Sequence, residues 1–298
     1  MSSVTGQATR IPEVRSAWRE PLGPIQGADG VSVMVLSGYG LNCEAESAAG
    51  FRMLGARVNV VHVGDLLEGT ASLDGVHILV FVGGFAFGDH IASGRVLANR
   101  LRYRLGERLA RFVDDGAFVL GICNGFQTLV KLGLLPALDR PTDDSPLSPQ
   151  QVSLVANERL GYRNAWVRLQ LDPDSPCVFT RGATGVPLEV PSRHGEGKLV
   201  FAPGVQARVE AEHLVPVRYV DAAGEPTQTW PDNPNGSPGG AAGLCDRTGR
   251  VFGLMPHPEA YLYPENHPDW IARRDACDAS RYGEGLGLLA SGVRAVLT

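Results

Sequence analysis

Long hydrophobic runs are absent from this sequence. No segment approaches the length of about eighteen apolar residues that a membrane span needs. Residues 1–30 mix charged residues with proline and glycine where a signal peptide would have an apolar core. We therefore predict a cytoplasmic protein with no membrane partner. Residues 1–30 are predicted to form an N-terminal extension that is partly ordered at best.

Lysine and paired cysteines are also scarce. Lys131 and Lys198 are the only lysines in 298 residues, and the net charge is −5. Surfaces that bind nucleic acid are normally basic, so no nucleic-acid partner is expected. The five cysteines are odd in number and scattered, with no C-x-x-C pair. This spacing argues against a zinc knuckle or a redox dithiol, and it favours a reducing compartment.

Short β-branched runs alternate with helix-period segments from residue 31 onward. Runs at 31–37, 57–63, 76–82 and 117–122 predict parallel strands. Segments 44–54 and 97–113 carry apolar residues at three- and four-residue spacing, as helices that cover a buried sheet do. The first half is therefore predicted to be a doubly wound α/β domain, with a central, mostly parallel sheet and helices on both faces.

The pattern changes after residue 136. A loop rich in proline, aspartate and serine spans 139–150, and short alternating strands with turn signals follow at 213–220, 241–245 and 251–255. These strands predict an antiparallel extension that packs on the first half, so that residues 31–259 form one domain. Residues 260–298 are predicted to be a helical tail on the same domain, with helices at 270–277 and 286–296.

The segment around Cys123 carries the strongest chemical signal. An apolar strand enters a helix through G-x-C-x-G, in which Gly121 and Gly125 flank the cysteine. This is the cysteine form of the nucleophile elbow, whose sharp turn needs small residues on both sides. A plain buried cysteine at a strand end is the simpler alternative. Gln127 returns to the same helix face as Cys123 and is a candidate substrate-binding residue.

Two His-x-Glu pairs are candidates for the base that a thiol nucleophile requires. His257 and Glu259 follow a predicted strand, and prolines on both sides of His257 stiffen the segment. His194 and Glu196 are flanked by glycines, which is more typical of a mobile loop. We therefore predict His257 as the base with Glu259 as its orienting carboxylate, and we assign His194 to substrate binding. A surface turn with a charged residue remains the simpler alternative for either pair.

Backbone donors for an oxyanion are predicted at two places. The N–H of Asn124 follows from the elbow, and the turn at Gly83, Gly84 and Phe85 ends a neighbouring predicted strand. Gly84 and Phe85 are the candidate donors, with Gly83 beside the substrate, although a double glycine can also be only a tight turn. The sequence has neither G-x-G-x-x-G nor a Walker motif. No nucleotide, cofactor or metal site is expected in this chain.

Several of these motifs together resemble a known family. Gly-Ile-Cys-Asn-Gly-Phe-Gln at 121–127 and Pro-His-Pro-Glu at 256–259 look like the glutaminase component of phosphoribosylformylglycinamidine synthase. Further segments resemble this family in the same order: Gly-Leu-Asn-Cys-Glu at 40–44, Gly-Gly-Phe-Ala-Phe-Gly-Asp at 83–89, His-Gly-Glu-Gly at 194–197 and Asn-Pro-Asn-Gly-Ser at 233–237. The resemblance covers residues 31–259. The N-terminal extension, Ala-Tyr-Leu-Tyr at 260–263 and the long C-terminal tail depart from it.

The resemblance implies a flavodoxin-like class I glutamine amidotransferase fold with a triad of Cys123, His257 and Glu259. It also implies that glutamine is hydrolysed through a cysteine thioester, as the ammonia-supplying step of de novo purine biosynthesis. The ammonia would pass to a separate synthetase subunit, which uses ATP and Mg to convert formylglycinamide ribonucleotide to its amidine. A small bridging subunit is a further candidate partner.

Three alternatives remain open from the sequence. The chain could serve another class I amidotransferase, in guanylate, cytidylate or carbamoyl phosphate synthesis, although Asn124, Phe126 and the segment 233–237 would then be expected to differ. A hydrolase or chaperone-like relative with a similar elbow is a second alternative. From a different class, the chain could be a catalytically silent subunit that only regulates a synthetase.

Overall fold

The computed structural model describes residues 16–139, 145–274 and 281–298. The strands in these ranges are β1 (Ser32–Ser37), β2 (Arg57–His62), β3 (Ile78–Phe81), β4 (Phe118–Ile122), β5 (Val152–Ala156), β6 (Arg163–Leu171), β7 (Leu188–His194), β8 (Glu196–Phe201), β9 (Val217–Val220), β10 (Gly243–Cys245) and β11 (Val251–Leu254). The α-helices are α1 (Glu44–Met53), α2 (Val63–Glu68), α3 (Arg95–Asp114), α4 (Asn124–Leu132), α5 (Val205–Ala211), α6 (Trp270–Arg274) and α7 (Leu286–Leu297).

A six-stranded sheet of order β10-β11-β4-β3-β1-β2 forms the centre of the fold. All its neighbouring strands pair in parallel except β10, which runs antiparallel to β11. The central strands β3 and β4 consist of buried apolar residues apart from their ends, as expected of strands covered on both faces. The predicted doubly wound, mostly parallel sheet with helices on both faces is confirmed.

The helices cover this sheet through the apolar stripes that the sequence predicts. In α3 the residues Leu97, Leu101, Leu105 and Leu109 are all buried, one turn apart along a single face. Helix α4 is buried over nearly its whole length and packs on β3, β4 and β11. The core therefore surrounds the junction at which β4 enters α4, and the side chain of Cys123 lies at that junction.

The antiparallel extension consists of two small sheets, β5-β8 and β7-β6-β9. Two predictions about this region are wrong. The strands predicted at 241–245 and 251–255 do not belong to the extension. They are β10 and β11 of the central sheet, because β11 is buried and pairs in parallel with β4. His194 and Glu196 do not lie in a mobile loop, because β7 ends at His194 and β8 begins at Glu196, with Gly195 between them. The imidazole of His194 is buried and bonded on both sides, and these contacts hold the segment in place.

The two terminal segments meet each other on the same domain. Trp18 is buried, and its indole Nε1 donates to the backbone oxygen of Glu284, 2.8 Å away, just before α7. We propose that residues 16–30 and the tail belong to one folding unit with residues 31–259. The predicted helix at 270–277 is described only as α6, since residues 275–277 lie outside the described ranges, as do residues 1–15. None of the described helices has the length and hydrophobicity of a membrane span.

Gly125 lies where α4 approaches β3 most closely. A Cβ atom at this position would lie 2.0 Å from the backbone oxygen of Phe81. No side chain fits there without a shift of backbone, and backbone in a close-packed core moves only at a cost.

Gly125→Ala is predicted to destabilise the fold by about 3 kcal/mol or more, because the added methyl group overlaps a strand carbonyl. Gly30→Ala is the matched control, since nothing lies within 4 Å of its Cβ position. The free energy of unfolding is measured by urea denaturation of the full chain. Equal stability of the two variants would show that the contact between α4 and β3 is not rigid.

Candidate active site

The turn at Cys123 places its thiol at the end of the parallel sheet. Cys123 has φ 51° and ψ −106°, a conformation rarely adopted by residues other than glycine, and its N–H donates to the oxygen of Leu254 at 2.8 Å. The thiol Sγ points to the backbone oxygen of Arg193, 3.6 Å away. A Cβ at Gly121 would lie 2.6 Å from the side chain of Leu129. Small residues at this turn are therefore required by packing, as the elbow pattern predicts.

His257 and Glu259 form a buried pair directly after β11. Nδ1 of His257 lies 2.6 Å from Oε1 of Glu259, and the His257 N–H donates to the oxygen of Pro191 at 2.7 Å. Burial lowers the pKa of His257, but the negative charges of Glu259 and Cys123 outweigh it, so that the pKa lies well above its usual value. Within the described residues Nε2 of His257 has no hydrogen-bond partner, so it is left for exchange of a proton with the thiol.

Gly83 separates the imidazole of His257 from the elbow. A Cβ at Gly83 would lie 2.9 Å from Cε1 of His257 and 3.6 Å from Cβ of Cys123. Only glycine leaves room for both side chains at this point. Gly83 therefore contributes to the site because it has no side chain. The close approach of His257 and Cys123 to Gly83 was not predicted from the sequence.

His194 lies in the same region but is held differently. Its Nε2 lies 2.9 Å from Oγ of Ser192, and its Nδ1 lies 3.0 Å from Oδ1 of Asn157. Burial, with repulsion from His257, lowers the pKa of His194 to about 3. A neutral imidazole with both nitrogens engaged is a poor proton acceptor. The geometry therefore favours His257 over His194 as the base.

The three candidate oxyanion donors differ in what their N–H groups contact. The N–H of Phe85 donates to the oxygen of Gly40 at 2.8 Å, so in this conformation it is already engaged. The oxygen of Gly83 accepts from Asn42 at 2.8 Å, and in a trans peptide the N–H of Gly84 then points to the opposite side. Asn124 is the first residue of α4, where N–H groups have no partner within the helix. Asn124 and Gly84 are the pair that we retain as proposed donors.

Gln127 uses both ends of its amide within the protein. Its Nε2 donates to the backbone oxygen of Glu196 at 2.6 Å, and its Oε1 accepts from Nδ2 of Asn124 at 3.0 Å. The side chain lines the cavity, as predicted for a substrate-binding residue. Its bonds indicate that it acts on a substrate mainly by fixing the position of Glu196.

A cavity of about 380 Å³ opens beside the thiol. Its lining includes Glu196 and six residues that were not candidates from the sequence: Asn42, Cys43, Asp89, Ser93, Tyr162 and Arg193. Some of them belong to the segments 40–44 and 83–89, whose order along the chain was the available signal. Cys43 has φ 71°, and its pKa is raised chiefly by burial, against the effect of His257.

Two groups of side chains in the described ranges could hold a metal ion by distance alone. Cys43, His257 and Glu259 bring potential ligand atoms within 4.8 Å of one another, as do Asp172, Asp174 and His213. In the first group His257 and Glu259 are already bonded to each other. In the second group His213 Nδ1 lies 3.0 Å from Oδ2 of Asp172, at the surface. We therefore interpret each group as a hydrogen-bonded pair that lies beside a third side chain, and not as a metal site.

Known proteins resemble this chain over most of its length. Residues 30–293 match the CobB/CobQ-like glutamine amidotransferase domain. The phosphoribosylformylglycinamidine synthase subunit PurQ of Dehalococcoides mccartyi is 37% identical over 264 residues, which cover 89% of this chain and 97% of that protein. The PurQ subunit of Methanococcus maripaludis is 38% identical over 255 residues, which cover 85% of this chain and 89% of that protein.

One solved structure shows the same fold. The structure of PurLQS from Thermotoga maritima matches 92% of this chain and 99% of the compared chain, with a TM-score of 0.64 and 23% identity. At this identity the likeness is evidence of the fold alone. It agrees with the mostly parallel α/β fold described above.

The two histidines are predicted to respond differently to substitution. His257→Ala is expected to slow formation of a thioester from glutamine by about two to four orders of magnitude, because the proton acceptor is lost. His194→Ala is expected to change the same rate much less and to act mainly on substrate affinity or stability. The measurement is single-turnover acylation of the full chain by glutamine.

His213→Ala is the matched control for these variants, since the exposed imidazole of His213 bonds to Asp172 at the surface and does not line the cavity. It should leave the acylation rate unchanged. A slower reaction in His194→Ala than in His257→Ala would identify His194 as the base and contradict this assignment.

Proposed function

Because the chain belongs to the family of the PurQ subunits of phosphoribosylformylglycinamidine synthase, we propose that it is the glutaminase component of that enzyme. It hydrolyses glutamine to glutamate and ammonia. The ammonia is supplied to the conversion of formylglycinamide ribonucleotide to formylglycinamidine ribonucleotide in de novo purine biosynthesis. Chemically the chain is a hydrolase, and it works as part of an ATP-dependent ligase.

One observation supports this function more than any other. The buried pair of His257 and Glu259, 2.6 Å apart, lies beside the strained turn at Cys123, and His257 and Cys123 line the same cavity. A nucleophile, a base and a group that orients the base are the parts that acyl transfer through a cysteine requires. The alternative of a silent regulatory subunit is disfavoured, since such a subunit would not need this arrangement.

In the proposed mechanism Cys123 attacks the side-chain amide carbon of glutamine while His257 takes the thiol proton. Backbone N–H groups of Asn124 and Gly84 stabilise the negative charge that develops on the amide oxygen. His257 then gives its proton to the leaving nitrogen, and ammonia departs from the γ-glutamyl thioester. Water, activated by His257, hydrolyses the thioester to glutamate and restores the thiol. Glu259 holds the imidazole in one orientation and stabilises its positive form.

The partners in this proposal are a synthetase subunit and a small bridging subunit. The structurally similar chain belongs to a structure of PurLQS, which supports such an assembly. ATP and Mg are used by the synthetase, and this chain itself needs no cofactor for thiol chemistry. A cytoplasmic location is proposed as well, because the described cysteines, Cys43, Cys123, Cys177 and Cys245, are all free thiols.

Cys123→Ser is predicted to lower the rate of amidine formation from glutamine in the reconstituted complex by at least about three orders of magnitude. Synthesis from added ammonia should be unchanged, since the thiol serves only the release of ammonia. Amidine formation is measured with saturating ATP and formylglycinamide ribonucleotide. Cys177→Ser, a change at a buried thiol that does not line the cavity, is the control.

Loss of both the glutamine-dependent and the ammonia-dependent reaction in a folded, assembled Cys123→Ser complex would contradict the proposed division of labour. A wild-type complex that used ammonia but not glutamine would favour the silent-subunit alternative. If the chain instead supplied ammonia to a synthetase of another pathway, the assignment as a glutaminase would be kept and the assignment to purine biosynthesis would be wrong.

A further inference from the structure

The cavity beside Cys123 contains two carboxylates, those of Asp89 and Glu196. The proposed substrate carries, besides its amide, a positively charged α-ammonium group that must leave water when glutamine binds. A charged group that is taken out of water needs a partner of opposite charge or strong hydrogen bonds. The two carboxylates are therefore the candidates for the group that binds the α-ammonium end of the substrate.

The carboxylate of Asp89 already accepts three hydrogen bonds from the protein. Its Oδ1 accepts from Nδ2 of Asn124 at 3.1 Å and from the N–H of Gly94 at 3.2 Å, and its Oδ2 accepts from Oγ of Ser93 at 3.0 Å. The residue has φ 51°, and these bonds stabilise that conformation. Asp89 thus shapes the wall of the cavity, and its oxygens have little capacity left for a ligand.

Glu196 is bound far less completely. Its Oε2 accepts a single long bond, from the N–H of Ser93 at 3.3 Å. Across residues 16–139, 145–274 and 281–298, no cationic group lies within 4.0 Å of its carboxylate. The side chain is half-buried at the wall of the cavity. A half-buried carboxylate without an ion pair is suited to bind a cation that arrives with the substrate.

Cys123 and Glu196 line the same cavity. The backbone oxygen of Glu196 lies 2.6 Å from Nε2 of Gln127, on the first turn of the helix that follows Cys123. From ordinary bond lengths, the amide carbon and the α-nitrogen of an extended glutamine are roughly 5 Å apart. A glutamine whose amide carbon lies at the thiol therefore keeps its α-ammonium group within the cavity that Glu196 lines.

The segment that carries Glu196 is held firmly from behind. Gln127 fixes its backbone oxygen, and a Cβ at Gly197 would lie 2.7 Å from the ring of His194 and 3.0 Å from Nδ2 of Asn235. Oγ of Ser237 accepts from the N–H of Leu199 at 3.0 Å, on the same strand. A binding carboxylate on such a segment needs little reordering when the ligand arrives, which favours affinity.

Building on the proposed glutaminase function, we propose that Glu196 binds the α-ammonium group of glutamine. This contact selects free glutamine over glutamine residues within peptides, whose α-nitrogen is an uncharged amide. Glu196 in this assignment sets substrate affinity and takes no part in the transfer of protons at the thiol.

Glu196→Gln tests the assignment when glutamine is compared with 4-carbamoylbutanoate, which is glutamine without the α-amino group. In the complete complex, kcat/KM for glutamine is expected to fall about 10- to 100-fold, mainly through KM, as a lost charge-assisted hydrogen bond predicts. The value for 4-carbamoylbutanoate should stay unchanged, because this substrate has no group for Glu196 to bind. Amidine formation is the readout for both substrates, with added ammonia as the internal reference.

Glu158→Gln is the matched control, since Glu158 does not line the cavity and pairs with Lys198 at 3.5 Å. It should leave both substrates unaffected. Unchanged use of glutamine by Glu196→Gln, or an equal loss with both substrates, would overturn the assignment alone. A wild-type complex that used ammonia but not glutamine would instead remove the proposed function, and this assignment with it.

Discussion

The backbone turn at Cys123 is the constraint on which the rest of the site depends. A residue with φ 51° between a strand and a helix can exist only where packing on both sides is tight, and the close contacts of Gly121 and Gly125 provide that packing. The same turn frees the N–H of Asn124 and points the thiol toward the end of β7. The thiol and the N–H of Asn124 therefore owe their positions to this turn.

Buried polar groups hold the second half of the site to the first. His257 is tied to β7 through the oxygen of Pro191, while the carboxylate of Glu259 is almost wholly buried and raises the pKa of the imidazole. Behind them the buried side chains of Asn157, Ser192 and His194 bond to one another. Such a network stabilises one geometry, since each unpaired member would cost free energy in the interior. The antiparallel extension thus completes a site that the parallel sheet only begins.

Local patterns were enough to predict strands β1 to β4, the helices α1 and α3 that cover them, and the sharp turn at Cys123. The β-branched runs and the glycines around Cys123 are signals that each extend over only a few neighbouring residues. The structure has strands and a sharp turn at those places. What the sequence could not show depends on distant contacts. Phe85 was predicted as an oxyanion donor, but its N–H is paired with Gly40, and His194 was expected in a mobile loop although its ring is fixed by Asn157. Neither partner is near in the chain.

In the proposed reaction Cys123, and no other thiol, attacks glutamine. Cys43 is the alternative nucleophile that is hardest to exclude, because its thiol lies in the same cavity and close to His257. The most direct test is to react the complex with a chloroketone analogue of glutamine and to map the adduct by peptide mass spectrometry. We expect modification of Cys123 alone, slowed by competing glutamine. An adduct on Cys43 with Cys123 unmodified would contradict it.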